Sequence, residues 1–143
     1  MSLEYLLDRL AIQDTITRGC KAIDQRQPAL WDEVFTADAV IDYGPLIDPL
    51  SFSQFKEWSL NWAESASENF HGWQHLLSNM VVDLDGDTAD VSTDFYNPLV
   101  MKDQSVIHSY GRYYDKLVRT PAGWRIAHRR CQGLREPDPA AVG

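Results

Sequence analysis

His75 and Asp24 are the two residues whose types best suit proton chemistry in this sequence. An imidazole, with an ordinary pKa of about 6.5, can take a proton from a substrate at neutral pH. A carboxylate bonded to one ring nitrogen fixes the tautomer that leaves the other nitrogen free. Each residue also has a plain structural reading. Asp24 falls at the end of a long helical pattern and can be a capping or surface aspartate. That place is electrostatically poor for an anion, because the helix dipole is negative there. His75 opens a strand-like run and can be a satisfied core histidine. Tyr43, in Ile41-Asp42-Tyr43-Gly44, and Ser109, which shares a strand face with Ile107, Gly111 and Tyr113, add hydroxyl groups. Asn97 continues the face of Val91, Thr93 and Phe95, so it is an inward polar group that needs a partner. Arg129 and Arg130 lie on opposite faces of one strand, and whichever points inward could hold an anionic group. Phe35, Trp58, Trp62 and Trp73 read as core or pocket wall, and Lys21 as a solvated helix lysine.

Other chemistries fit poorly. His71 and His75 have the i, i+4 spacing of helical metal ligands, but Gly72 and the following strand argue against a helix, so no metal site is expected. No phosphate-cradling loop or dinucleotide fingerprint appears, and no cofactor is expected. The serines lack a nucleophile-elbow context. With 13 basic and 21 acidic side chains the formal charge is −8, the wrong sign for neutralising phosphates, which makes nucleic acid an unexpected partner. No run reaches the roughly 18 apolar residues of a membrane span. The early apolar stretch is broken by Glu4, Asp8 and Arg9, unlike a signal peptide. Cys20 and Cys131, far apart in the chain, read as a reduced pair in a cytoplasmic protein, with a disulfide between them left open.

The elements that must position these groups come in two blocks. Leu3, Leu6, Leu7, Leu10, Ile16 and Ile23 place apolar groups on or near one helical stripe, capped by Ser2 and running to about Arg26. Pro28 suits the first turn of a second, shorter helix through Trp31 and Phe35. A short strand follows at 39–43, and Ser51-Phe52-Ser53-Gln54 has the form of a capping box opening a third helix. The second half reads as strand. His75 to Leu84 leads into Asp85-Gly86, a strong hairpin signal. The return from Thr88 alternates, with Ala89, Val91, Thr93 and Phe95 on one face and Asp90, Ser92 and Asp94 on the other. Two more strands are expected at about 105–118 and 124–132, with a frayed tail over 133–143. Helices followed by a meander give an α+β domain whose helices close one side of a curled antiparallel sheet. A mostly apolar pocket lies between them, and at 143 residues the chain fits one domain, over 3–132.

Several phrases, together and in order, resemble the SnoaL-like branch of the nuclear transport factor 2-like superfamily over residues 3–132. In the helical block they are Leu7-Asp8-Arg9-Leu10-Ala11-Ile12-Gln13-Asp14, Ala22-Ile23-Asp24, Trp31-Asp32-Glu33-Val34-Phe35 and Ile41-Asp42-Tyr43-Gly44. In the strand block they are His75-Leu76-Leu77-Ser78-Asn79, Asp85-Gly86-Asp87-Thr88-Ala89, Gly111-Arg112-Tyr113-Tyr114-Asp115 and Gly123-Trp124-Arg125-Ile126. The resemblance implies a cone-shaped α+β barrel, NTF2-like or cystatin-like, with three N-terminal helices on a strongly curved, mostly antiparallel sheet. It also implies that Asp24 and His75 form the catalytic dyad of the family's dehydratases and dehydrochlorinases, the His as base and the Asp as its orienting partner. Tyr43 matches a tyrosine that scytalone dehydratase uses through a water on the substrate carbonyl, and Ser109 a serine of the same site. Asn97 lies near the place of that enzyme's second pocket histidine. Several family lyases also carry a tyrosine at or near the places held here by Gly19, Cys20 and Ile23. The expectation is a cofactor-independent lyase, or an isomerase or cyclase, for a small hydrophobic, cyclic substrate. Asp24 and His75 are its catalytic residues, with Tyr43, Asn97, Ser109, Phe35, Trp73, Tyr113 and Arg129 binding substrate. The alternatives are a non-catalytic hydrophobic-ligand binding domain and a small subunit of a larger oxygenase. Family members are often dimers or trimers, and outward aromatics such as Tyr110 and Tyr114 suit a homodimer or homotrimer.

Overall fold

The computed structural model describes residues 1–134, and the tail expected to fray lies, from residue 135, outside the described residues. Helix α1 spans Leu3–Asp24 and starts where the Ser2 hydroxyl accepts the Tyr5 amide at 3.1 Å. That bond satisfies one of the orphan donors of the first turn. The buried side of its second half is Ile12, Thr15, Ile16, Gly19, Cys20 and Ala22. The leucines expected on the same stripe are outside it: Leu3, Leu6, Leu7 and Leu10 are 72%, 44%, 57% and 58% exposed. Periodicity reports an apolar face but not whether anything lies opposite it. Leu10 is exposed although Asp8 and Ile12 on either side of it are buried, so the leucines lie on the face of α1 turned away from the sheet. The exposed half is held by a polar anchor instead. Buried Asp8 accepts Arg119 Nη1 and Nη2 at 2.7 and 2.8 Å and the Trp124 indole at 3.1 Å.

The second expected helix is a six-residue 3-10 turn, Pro28–Glu33. It stops before Phe35 because that residue is already strand. The Val34 carbonyl accepts the Ile126 amide at 2.8 Å, and β1 (Phe35–Asp42) runs parallel to the last strand from there. A one-turn 3-10 segment, Gly44–Leu46, and the two-residue strand β2 (Leu50–Ser51) lead into α2, Phe52–Asn69. The capping box is present: the Ser51 hydroxyl accepts the Gln54 amide at 3.3 Å, and the Gln54 side chain accepts the Ser51 amide at 2.9 Å.

The remaining strands are β3 (Phe70–Trp73), β4 (Leu76–Asp85), β5 (Thr88–Met101), β6 (Val106–Thr120) and β7 (Gly123–Gly133). Gly86, at φ +58°, makes the β4–β5 turn that only a residue without Cβ adopts freely. The sheet order is β2-β1-β7-β6-β5-β3, with β4 also paired to β5. All pairings are antiparallel except β1 with β7. This is the α+β fold expected, helices on a curved sheet that does not close.

The alternation read in β5 holds: Ala89, Val91, Thr93 and Phe95 are buried, and Asp90, Ser92 and Asp94 face out. Toward the β4–β5 hairpin the concave face is filled. Ile12 and Ile16 of α1 pack there with Val82, Ala89, Val91, Leu117, Trp124 and Ile126. Burial of each large side chain contributes about 1.5–3 kcal/mol. Beside them Trp31, Phe35, Phe52 and Phe55 form a ring cluster with centroids 4.9–5.7 Å apart. Toward the other end of β5 and β6 the concave face is not filled.

Candidate active site

Asp24 is the last residue of α1, and His75 stands in the two-residue break between β3 and β4, one position before the strand expected to carry it. The Asp24 carboxylate holds His75 at two points, the ring and the backbone. Oδ1 is 2.6 Å from ring Nδ1, and Oδ2 accepts the His75 backbone amide at 2.8 Å. Both side chains are mostly buried, with 9% and 11% exposure. A carboxylate can only accept, so the ring tautomer that suits this contact carries its proton on Nδ1 and keeps the lone pair on Nε2. Two donors also offset the unfavourable position of an anion at a helix C-terminus.

His75 lies in the wall of a cavity of about 510 Å³ between α1, α2 and the concave face of the sheet. Ile23, Trp31, Ile47, Phe55, Trp58 and Trp62 make its apolar walls, and Phe95 and Tyr113 face it from the sheet. Its polar groups are His75, Asn97, Ser59, Ser109, Tyr43, Tyr110, Tyr113, Arg129, Cys20 and Cys131. A large apolar surface with a few convergent polar groups is the usual form of a small-molecule site. On the other side of the pair is a polar cleft of about 430 Å³, lined by Gln13, Thr17, Lys21, Asp24, His75 and Ser78 among others. His75 and Cys20 line both spaces and so form part of the partition between them, with Asp24 on the side of the polar cleft.

Of the two neighbouring arginines, Arg129 faces the cavity and Arg130 is exposed, its guanidinium 4.4 Å over the ring of Tyr114. Arg129 is 4% exposed, and its Nε and Nη2 donate to the Asp115 carboxylate at 2.7 and 2.9 Å. Burial alone would lower the guanidinium pKa, but the carboxylate of Asp115 raises it, so Arg129 stays charged and compensated. Its plane lies 4.0 Å over Tyr113. Desolvation likewise raises the pKa of the Tyr43 and Tyr113 phenols, which keeps both as O–H donors. Burial pushes the Cys20 thiol up to about 12 and the Cys131 thiol up to about 11, and both cysteines are free.

Tyr43, Asn97, Ser109, Tyr113 and Arg129 thus share one cavity with His75. Phe35 and Trp73 do not line it. Phe35, 2% exposed, is spent in the aromatic core against Trp31, Phe52 and Phe55. Trp73 sits behind the wall, edge-on to Trp62 at 5.0 Å, so it supports a lining ring without being one. Asn97 Oδ1 is buried without a partner, as is Thr93 Oγ1. Asp115 escaped the sequence reading. The parity that groups Ser109, Gly111 and Tyr113 reaches it two residues on, and an inward carboxylate there calls for a cation such as Arg129, directly opposite in register. Cys20 and Cys131 as cavity residues had no signal of that kind. Gly19, Cys20 and Ile23, the places of the tyrosine found in several family lyases, all line the cavity.

Residues 4–130 match the profile of the SnoaL-like domain. The chain belongs to the SnoaL-like family. An uncharacterised protein of Mycobacterium tuberculosis is 39% identical over 133 residues, spanning 90% of this chain and 87% of that one. Among solved structures, a protein of Novosphingobium aromaticivorans proposed to be a scytalone dehydratase superposes with a TM-score of 0.81 at 20% identity, covering 94% of this SnoaL-like chain and 89% of its own. A hexachlorocyclohexane dehydrochlorinase of Novosphingobium barchaimii gives 0.76 at 18% identity, covering 92% and 90%. A proposed aromatic ring hydroxylase of Novosphingobium aromaticivorans gives 0.75 at 29% identity, covering 92% of each chain. These likenesses establish the NTF2-like fold of the SnoaL-like chain, and the chemistry has to be argued from its site.

Proposed function

We propose that this SnoaL-like domain is a cofactor-independent lyase that removes a proton from carbon in a small, mostly apolar, cyclic substrate. The observation that carries the reading is the two-point hold of Asp24 on His75 at the wall of an apolar cavity. His75 Nε2 takes the proton, and Asp24 keeps the ring oriented and stabilises the imidazolium that forms. Tyr43, Asn97 and Ser109 are the candidates to hold a carbonyl or hydroxyl oxygen, with Tyr43 as proton donor to a leaving group. The dehydratase and dehydrochlorinase neighbours support elimination over other proton chemistry.

The reading is tested by deuterium incorporation from D2O into cyclic ketones such as 2-tetralone, followed by NMR, alongside elimination from cyclic β-hydroxy ketones. The native protein accelerates one or both. His75→Ala and Asp24→Asn abolish the acceleration while circular dichroism and melting remain near native. Full activity in both variants overturns the reading.

One observation favours a second reading. The cavity has Gly19, Cys20 and Ile23 where a family lyase has its tyrosine, which suits a hydrophobic-ligand binder without chemistry. Saturable ligand binding with no exchange or elimination on any probe selects it. The likeness to a proposed aromatic ring hydroxylase points instead to a small oxygenase subunit, which co-purification with a large partner would reveal. Under each reading a homodimer or homotrimer is proposed, supported by the exposed leucines of α1 and by Tyr110, 46% exposed. Sedimentation of the chain at micromolar concentration as a monomer removes that part.

A further inference from the structure

The floor of the cavity below His75 is built in an unusual way. Phe95 on β5 stands opposite Gly111 on β6. A Cβ placed on Gly111 would overlap Phe95 Cζ and Cε1 and come within 2.6 Å of the Gln132 carbonyl oxygen. The Phe95 ring therefore does not stand upright on the sheet. It lies across β6, in the space that a side chain at residue 111 would fill. One end of the ring approaches the His75 imidazole, 6.3 Å between centroids, and its face stacks on Tyr113 at 4.6 Å and 25°. Tyr113 in turn is covered by the Arg129 guanidinium. The row His75, Phe95, Tyr113, Arg129 runs along the cavity, with Phe95 between the imidazole and Tyr113. Gly111 itself does not line the cavity; it supplies the space that lets the ring lie down.

We propose that Phe95, its ring reaching across into the notch over Gly111, sets the depth of the cavity beneath His75 and so the size of ring system the site accepts. The inference rests on the reading of this cavity as a ligand site and is independent of whether His75 is a base. With one face taken by Tyr113, the ring meets the cavity with the remainder of its apolar surface and limits how far a ligand can sink. Shortening the side chain opens the notch and deepens the site. A larger ring cannot enter the notch, because the Gln132 carbonyl bounds it, and must rise into the ligand's space.

The test uses phenol, 2-naphthol and 9-phenanthrol, with binding read from quenching of the cavity tryptophans Trp31, Trp58 and Trp62. Phe95→Ala should shift the affinity ratio of 9-phenanthrol to 2-naphthol at least tenfold toward the larger ligand. Phe95→Leu should shift it less in the same direction, and it carries the test where the alanine variant does not fold. Phe95→Trp should move it the other way, weakening 9-phenanthrol at least tenfold more than 2-naphthol, with phenol within threefold. Ratios that stay within threefold of the native protein, or a uniform weakening of all three ligands, overturn the proposal. So does failure of the native protein to bind any of them. These phenols carry no leaving group for elimination, so loss of exchange activity in His75→Ala judges the lyase reading separately.

Discussion

The two ends of the concave face are built to opposite standards. Toward the β4–β5 hairpin, Ile12, Ile16, Leu117 and Ile126 are at most 1% exposed and are packed side chain to side chain. Toward the far ends of β5 and β6, rings line a hollow, and Asn97 Oδ1 and Thr93 Oγ1 are buried with nothing to bond. A buried polar atom without a partner costs about 1–3 kcal/mol. The filled end therefore supplies the stability that lets the hollow end keep the Asn97 amide oxygen unsatisfied at a space for a ligand.

Substitutions should separate the two ends. The largest effect falls on chemistry: His75→Ala should reduce turnover by about 10²–10⁴-fold, the usual contribution of a general base, with little change in melting temperature. Next comes the buried ion pair of Arg129, which lines the cavity, with Asp115. Asp115→Ala leaves the buried Arg129 charge uncompensated and should cost about 3–5 kcal/mol in urea unfolding, although neither residue belongs to the filled end. Ile126→Ala, at the filled end, should cost about 2–5 kcal/mol and leave ligand affinity near native in the fraction that remains folded. Asn97→Leu should do the reverse, holding or raising stability by roughly 1 kcal/mol while weakening ligands that carry an O–H or N–H. Equal losses of stability in the last two variants would erase the distinction between the ends.

The smallest effects concern protons. The hydrogen bonds from Arg119, and then from Trp124, hold the Asp8 carboxyl below its ordinary value of 3.8. A depressed folded-state pKa contributes stability that is fully present above the unfolded value and lost as pH falls through the folded one. The stability gap between the native protein and Asp8→Asn should therefore be steady near neutrality and shrink below pH 3.8. Thermal melts from pH 7 down to the acid limit of folding check it. With thiols at about 12 and about 11, Cys20 and Cys131 should react slowly with 5,5′-dithiobis(2-nitrobenzoate) at pH 8 and rapidly in urea.

Local signals were legible where local chemistry decides structure. The capping box at Ser51, the Asp85-Gly86 turn and the alternation from Ala89 to Phe95 each depend on neighbours in sequence, and each stands as read. What depends on distant partners was not. The leucine stripe of α1 has the right period but no opposing surface, and Phe35 was recruited into a parallel pairing with β7 that no local pattern announces. The short strand β3, from Phe70 to Trp73, is likewise made by its register with Leu99 and Met101. The candidate site divides in the same way. Asp24 and His75 were singled out as residue types, and only the family resemblance joined them across the chain. Strand parity put Asn97, Ser109 and Tyr113 on the inward face, but it could not separate Phe35 and Trp73, which serve the core and the wall, from rings that meet the cavity.

The double grip of Asp24 on His75 ties residues 51 positions apart, from the end of a helix to the start of a strand. Drawing so long a loop together is entropically costly, and here two short polar contacts help keep it drawn. The same carboxylate is thus both hinge pin and accessory to any reaction. A variant that loosens it frees the lip between α1 and β4 along with the imidazole, so catalytic loss at this position should be accompanied by faster amide exchange at Gln74 and His75, whereas truncating the imidazole alone leaves the backbone half of the clasp shut.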